Sequence, residues 1–85
     1  LALADLWSDL GCLYFESGQY DKAVERFSEV FKNNPDNLQA KLYLGMSHFE
    51  LGDNPKAKQL LQEARSGTQD VMIQNAADVY LDKLK

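Results

Sequence analysis

Three groups of residues carry chemistry in principle: the single cysteine Cys12, the single histidine His48, and the carboxylate pair Asp78 and Asp82. A reactive thiol needs neighbouring cations to hold it as thiolate, and no Lys or Arg precedes Lys22. Cys12 therefore reads as a small apolar residue. His48 has no second ligand at i+4 and no cysteine pair nearby, so packing is expected of it rather than metal binding or catalysis. Asp78 and Asp82 are spaced for one helix face. That face is expected to be exposed, whereas catalytic carboxylates need a cleft that shifts their pKa. The sequence contains no nucleophile-elbow pattern, glycine-rich phosphate loop or HExxH run. The expectation is a chain that is not an enzyme, with no catalytic residue, no metal and no cofactor.

Composition narrows the partners. The 85 residues make one small domain, 45% hydrophobic and 26% charged, with a net charge of −4. Nucleic acid is not an expected partner, because phosphate binding needs clustered Lys and Arg. No membrane span is expected either, since nothing approaches about eighteen uninterrupted apolar residues. One cysteine rules out an internal disulfide and fits a reducing compartment, so a cytoplasmic location is expected. The opening "LALADLW" has neither a basic run nor an initiator Met. It reads as the edge of a segment cut from a longer protein rather than as a signal peptide.

The elements that must position any site are helices. Residues 2–17 place Leu3, Leu6, Trp7, Leu10, Leu13 and Tyr14 at helical spacing, with a stop at Ser17-Gly18. A second helix follows with Tyr20, Ala23, Val24, Phe27, Val30 and Phe31, and ends at "NNPDN", where Asp36 or Asn37 can cap the next. The third runs from Leu38 to Leu51. The fourth opens at "DNPKA", with Asn54 as the expected cap and Pro55 in the first turn, and reaches about Arg65. The last spans about Asp70 to Leu84, with Ile73, Ala76, Ala77, Tyr80, Leu81 and Leu84 along one stripe. No useful stretch alternates with period two. The fold class is all-α with five helices.

A shift of thirty-four residues superimposes the chain on itself. Leu10, Gly11, Phe15, Glu16, Gly18, Lys22, Ala23, Glu29 and Asp36 recur as Leu44, Gly45, Phe49, Glu50, Gly52, Lys56, Ala57, Glu63 and Asp70. The series Trp7-x-x-Leu10-Gly11-x-x-Tyr14, with Gly18, Tyr20, Ala23, Phe27 and Pro35, resembles a tetratricopeptide (TPR) repeat, whose period is also thirty-four. In the second copy Leu44, Gly45, Gly52, Ala57, Leu61 and Ala64 hold the family positions. Lys41, His48 and Gln69 depart from it, standing where the first copy has Trp7, Tyr14 and Pro35. A further shift finds Asp78 and Val79 where Leu and Gly belong, so no third repeat is expected. The resulting layout is one repeat at 4–37, a second at 38–71, and a capping helix at 72–85.

The resemblance implies antiparallel helix pairs stacked in a right-handed superhelix, and a protein–protein interaction module that takes a partner peptide or helix in a groove lined by the first helix of each pair. The expected groove residues are Asp5, Ser8, Cys12, Phe15 and Glu16, then Gln39, Leu42, Met46, Phe49 and Glu50, with Ile73, Ala76 and Tyr80 from the last helix. Some family members grip a C-terminal carboxylate with Lys, Asn and Arg. Here the matching places hold Ser8, Cys12, Tyr43, Ile73 and Ala77, so that clamp is not expected. An apolar floor with only acidic charges suits a protein or peptide with apolar anchors and basic flanks. Phe15 and Phe49 have two readings, cover for neighbouring helices, which is favoured, or direct ligand contact. Glu16 and Glu50 are expected as solvated charges. Ten of the fourteen residues from Ala2 to Phe15 are apolar or aromatic, more than one buried stripe requires. A missing upstream repeat or a homodimer partner would each account for that. A self-associating structural fragment, or the docking arm of a larger enzyme, thus remain alternatives.

Overall fold

The computed structural model describes residues 3–84, with side chains described for residues 10–84. It contains five helices: α1 (Leu3–Glu16), α2 (Tyr20–Asn33), α3 (Leu38–Glu50), α4 (Asn54–Gly67) and α5 (Val71–Lys83). No strand occurs among the described residues. α1 packs on α2, α3 on both α2 and α4, and α5 on α4 and α3.

The turns inside the two helix pairs are built alike, thirty-four residues apart. Gly18 and Gly52 have φ of +82° and +86°, the left-handed region that glycine enters without strain. Around the first, the N–H of Gly18 donates to Phe15 O at 3.1 Å and that of Gln19 to Tyr14 O at 2.8 Å. Around the second, Gly52 donates to Phe49 O at 3.0 Å and Asp53 to His48 O at 2.9 Å. Each pair of bonds satisfies carbonyls that a helix end otherwise leaves open. The next helix starts at once. Gln19 (φ −90°, ψ 67°) and Asp53 (φ −88°, ψ 73°) occupy the same cap conformation. Asp53 Oδ1 accepts the Lys56 N–H, whereas the Gln19 side chain caps nothing. The cap of α4 is thus Asp53, not the expected Asn54. The glycine turn fixes this, because it delivers Asp53 to the cap position and leaves Asn54 and Pro55 in the first turn.

Between pairs the chain turns on asparagine and aspartate. Asn37 Oδ1 accepts the Ala40 N–H at 3.0 Å and opens α3, and Asp70 Oδ1 accepts the Met72 N–H at 2.9 Å and opens α5. These bonds occupy donors that the first helical turn cannot pair.

Packing follows the small residues. A Cβ on Gly11 would stand 2.8 Å from Phe27 of the paired helix, and one on Gly45 would stand 3.0 Å from Leu61. Phe27 and Leu61 are themselves thirty-four residues apart and fully buried, as are Ala23 and Ala57. The core then divides in two. Ala23, Phe27, Val30, Ala40, Leu44 and Leu60 form the part between α2, α3 and α4, with Tyr14, Phe15 and Tyr43 packed against it. Leu42, Ala57, Leu61, Ala64 and Ala77 form the part between α3, α4 and α5, covered by Met46, Phe49, Ile73 and Tyr80.

Candidate partner-binding groove

α1, α3 and α5, the helices that open each unit, share one face. α3 lies between the other two and touches both. Its position follows from the sequence: Ala40 and Leu44 turn toward α2, Leu42 turns toward α4 and α5, and Tyr43 and Met46 are left half-buried at the surface. α5 brings Ile73, Ala76 and Tyr80 against the same core. Between α3 and α5 lies a cavity of about 290 Å³ lined by Gln39, Leu42, Tyr43, Asp70, Met72, Ile73 and Ala76. Met72, at its rim, is 79% exposed.

Aromatic rings continue this face toward the helix C-termini. Phe15 meets Tyr43 edge to face at 5.9 Å and Tyr20 at 5.3 Å. Phe49 meets Tyr80 in the same manner at 5.4 Å. Burial raises the Tyr43 phenol above its ordinary pKa, and Cys12, which hydrogen-bonds it, and the Glu16 carboxylate push in the same direction. Burial likewise raises Tyr80, with Glu50 and Tyr20 adding to it. Both phenols therefore stay neutral at physiological pH and present hydroxyls that can donate or accept.

Most of the expected residues with described side chains come together here. Cys12 and Phe15 border Tyr43, Met46 and Phe49 cover the second core with Tyr80, and Gln39, Glu16 and Glu50 are exposed around them. Phe15 and Phe49 both pack on neighbours and remain half-buried, so each retains surface toward solvent. Leu42 is 5% exposed and belongs to the core, meeting the cavity only at its wall. Asp5 and Ser8 stand on α1, but their side chains lie outside the described residues. Met72 at the cavity, Tyr20 against Phe15 and Lys83 over Tyr80 were not among the expected groove residues, and Tyr43 was named only as a place where a clamp fails to match. The signal available for Tyr43 and Tyr80 was their position on α3 and α5.

The other residues with candidate chemistry are His48 and the paired aspartates. His48 is half-buried at the α3–α4 turn, with Nδ1 3.6 Å from Asp53 Oδ2. Burial lowers its pKa below the usual imidazole value, and Lys56 adds to that while Asp53 opposes it. Burial prevails because Asp53 is half exposed and its contact is long. The face of Asp78 and Asp82 is open to solvent, with Asp82 exposed and the Asp78 side chain 45% exposed. Both line a depression of about 630 Å³ between α4 and α5, with Lys58, Gln62, Arg65 and Ser66, and Asp78 is ion-paired with Arg65. Among the described residues, no three His, Cys, Asp or Glu side chains gather as metal ligands would. No described helix is long and apolar enough to cross a membrane.

The sequence matches the family model for the tetratricopeptide repeat over residues 8–71. The chain belongs to the tetratricopeptide repeat family. Its five helices and recurring helix-pair turns are those of a TPR-type helical repeat. A TPR repeat-containing protein of Borreliella burgdorferi is 33% identical over 49 residues, which is 58% of this chain and 21% of that relative. The chain thus spans about a fifth of the length of the curated relative it matches. TPR membership points to a protein–protein interaction module and so to a protein partner.

Proposed function

We propose that the face shared by α1, α3 and α5 binds a helix or extended segment of a partner protein, with apolar anchors between α3 and α5 and basic flanks beyond them. The observation that carries this reading is the α3–α5 cavity, apolar along Leu42, Ile73, Ala76 and Met72, with polar Gln39 and Tyr43 at its edge. Apolar pockets with a few polar groups are the usual form of recognition sites. The acidic residues Glu16 and Glu50 end α1 and α3 on the same side and complement a basic flank. This reading keeps residues 4–37 and 38–71 as the two repeats and assigns 72–85 to the helix that completes the groove.

The test is a panel of synthetic amphipathic peptides with leucine anchors and either arginine or glutamate flanks, titrated against the ¹⁵N-labelled chain. Arginine-flanked peptides are expected to shift Gln39, Met46, Met72 and Ala76, and Met46→Glu is expected to weaken them about tenfold or more. Shifts confined to Glu25, Glu29 and Lys58 on the second helices would refute the groove.

A further inference from the structure

One end of the groove already holds a cation, and that cation belongs to the chain itself. Lys83 Nζ lies 5.0 Å from the ring centroid of Tyr80 and 5.9 Å from that of Phe49. Ammonium groups are drawn to ring faces by the aromatic quadrupole. A second cause acts at the same place. α1 and α3 both end on a glutamate, Glu16 and Glu50, where the helix dipole is already negative. α1 has no basic residue in its last turn, and α3 has only His48, which burial keeps neutral. The charge arrangement there is unfavourable to the helices themselves and favourable to an incoming cation. Tyr80 feels the Glu50 carboxylate and Tyr43 feels that of Glu16, so a phenol stands near the acidic end of each helix.

Resting on the groove reading above, we propose that Phe49, Tyr80 and Glu50 form a seat for one basic side chain of the bound segment, and that Lys83 fills it until that segment displaces it. Lys83 is suited to the part. It is exposed, stands at the last residue of α5, and its ammonium travels on a flexible four-carbon stem. A guanidinium, planar and more weakly hydrated, stacks better on the same rings and displaces it.

The probe is Nα-acetyl-arginine methylamide, with the neutral citrulline analogue as its control, and the readout is the tyrosine ring resonances. The arginine probe should move Tyr80 while citrulline leaves it in place. Lys83→Met should tighten the arginine probe about threefold to tenfold, and Glu50→Gln should loosen it by a similar factor. Lys58→Met removes the same charge from the α4–α5 depression and should change nothing. Equal responses to arginine and citrulline, or equal tightening by Lys58→Met and Lys83→Met, would overturn the proposal. The peptide panel separates the two readings. If peptides dock and Met46→Glu abolishes it while arginine ignores Tyr80, the groove stands and the seat falls.

Discussion

Replacing Gly11 by alanine sets two effects against each other, and both can be sized. Within a helix, alanine is favoured over glycine by about 0.8–1.0 kcal/mol. Against that, the new Cβ would stand 2.8 Å from Phe27 Cζ and 2.9 Å from Cε1 and Cε2. The ring cannot swing aside freely, because Phe27 is fully buried and stacked on Tyr43 of α3 at 5.1 Å. Overpacking of this kind costs about 1–3 kcal/mol. The expected net loss is about 1 kcal/mol, a fall in Tm of about 4–8 °C for a domain of this size. The second repeat supplies the control. A Cβ on Gly45 would meet Leu61 Cγ at 3.0 Å and Leu60 Cβ at 3.1 Å, longer contacts that smaller shifts of the neighbours relieve. Gly45→Ala should therefore be closer to neutral. Phe27→Leu in the Gly11→Ala background removes the ring atoms that the new Cβ would strike. The double-mutant cycle should show favourable coupling of about 1 kcal/mol. Urea unfolding followed by far-UV circular dichroism reads all four corners. If Gly11→Ala raises stability by the full helix-propensity gain, or the cycle is additive within about 0.3 kcal/mol, the close approach of α1 and α2 is wrong. The equivalence of the two helix pairs would fall with it.

Two further outcomes follow from comparing the repeats. Gln19 already has the backbone conformation in which Asp53 caps α4, so Gln19→Asp should add a cap to α2 and raise stability by about 0.5–1 kcal/mol, read from the urea midpoint. For His48 the folded-state pKa is lowered, so the unfolded chain binds the proton more tightly. Its contribution to stability is complete above an unfolded value of about 6.5 and is lost as pH falls from there through the folded value. His48→Tyr, which copies Tyr14, should flatten stability between about pH 7 and pH 5. An unchanged slope in urea melts at three pH values would show that His48 is not the group responsible.

The repeat was legible because its spacing records backbone geometry. Gly18 and Gly52 recur because both turns need a positive φ, and Gly11 and Gly45 recur because both face a bulky side chain of the paired helix. Substitutions within the repeat were harder to read. Lys41 stands where the first copy has a tryptophan, and sequence alone offered no replacement for the lost ring. The structure supplies one. Lys41 lays its ammonium 5.1 Å from the Phe31 centroid and pairs with Glu63 at 3.1 Å, which holds the Glu63 carboxyl below its usual pKa. With Glu63 44% exposed, that pair is screened and adds little on its own. The packed stem of Lys41 accounts for more.

The last helix shows where the repeat spacing and the helix caps part. Asp36 and Asp70 are identical at the repeat spacing, yet they have different roles. Asn37 caps α3, whereas Asp70 itself caps α5. Measured from the caps, α5 sits one residue early, and Asp78 takes the place that Gly45 has on α3. There it pairs with Arg65 of α4. A carboxylate cannot serve where glycine admits another helix at contact distance, since burying it beneath a further helix would strip away water that the ion pair does not replace. On that ground we read α5 as closing the stack on its α4 side. Its other side walls the α3–α5 cavity, which Met72, Ile73 and Ala76 line together with residues of α3. The thirty-four-residue period does not reveal the Asp78–Arg65 pair, because it holds only while the caps keep step with it.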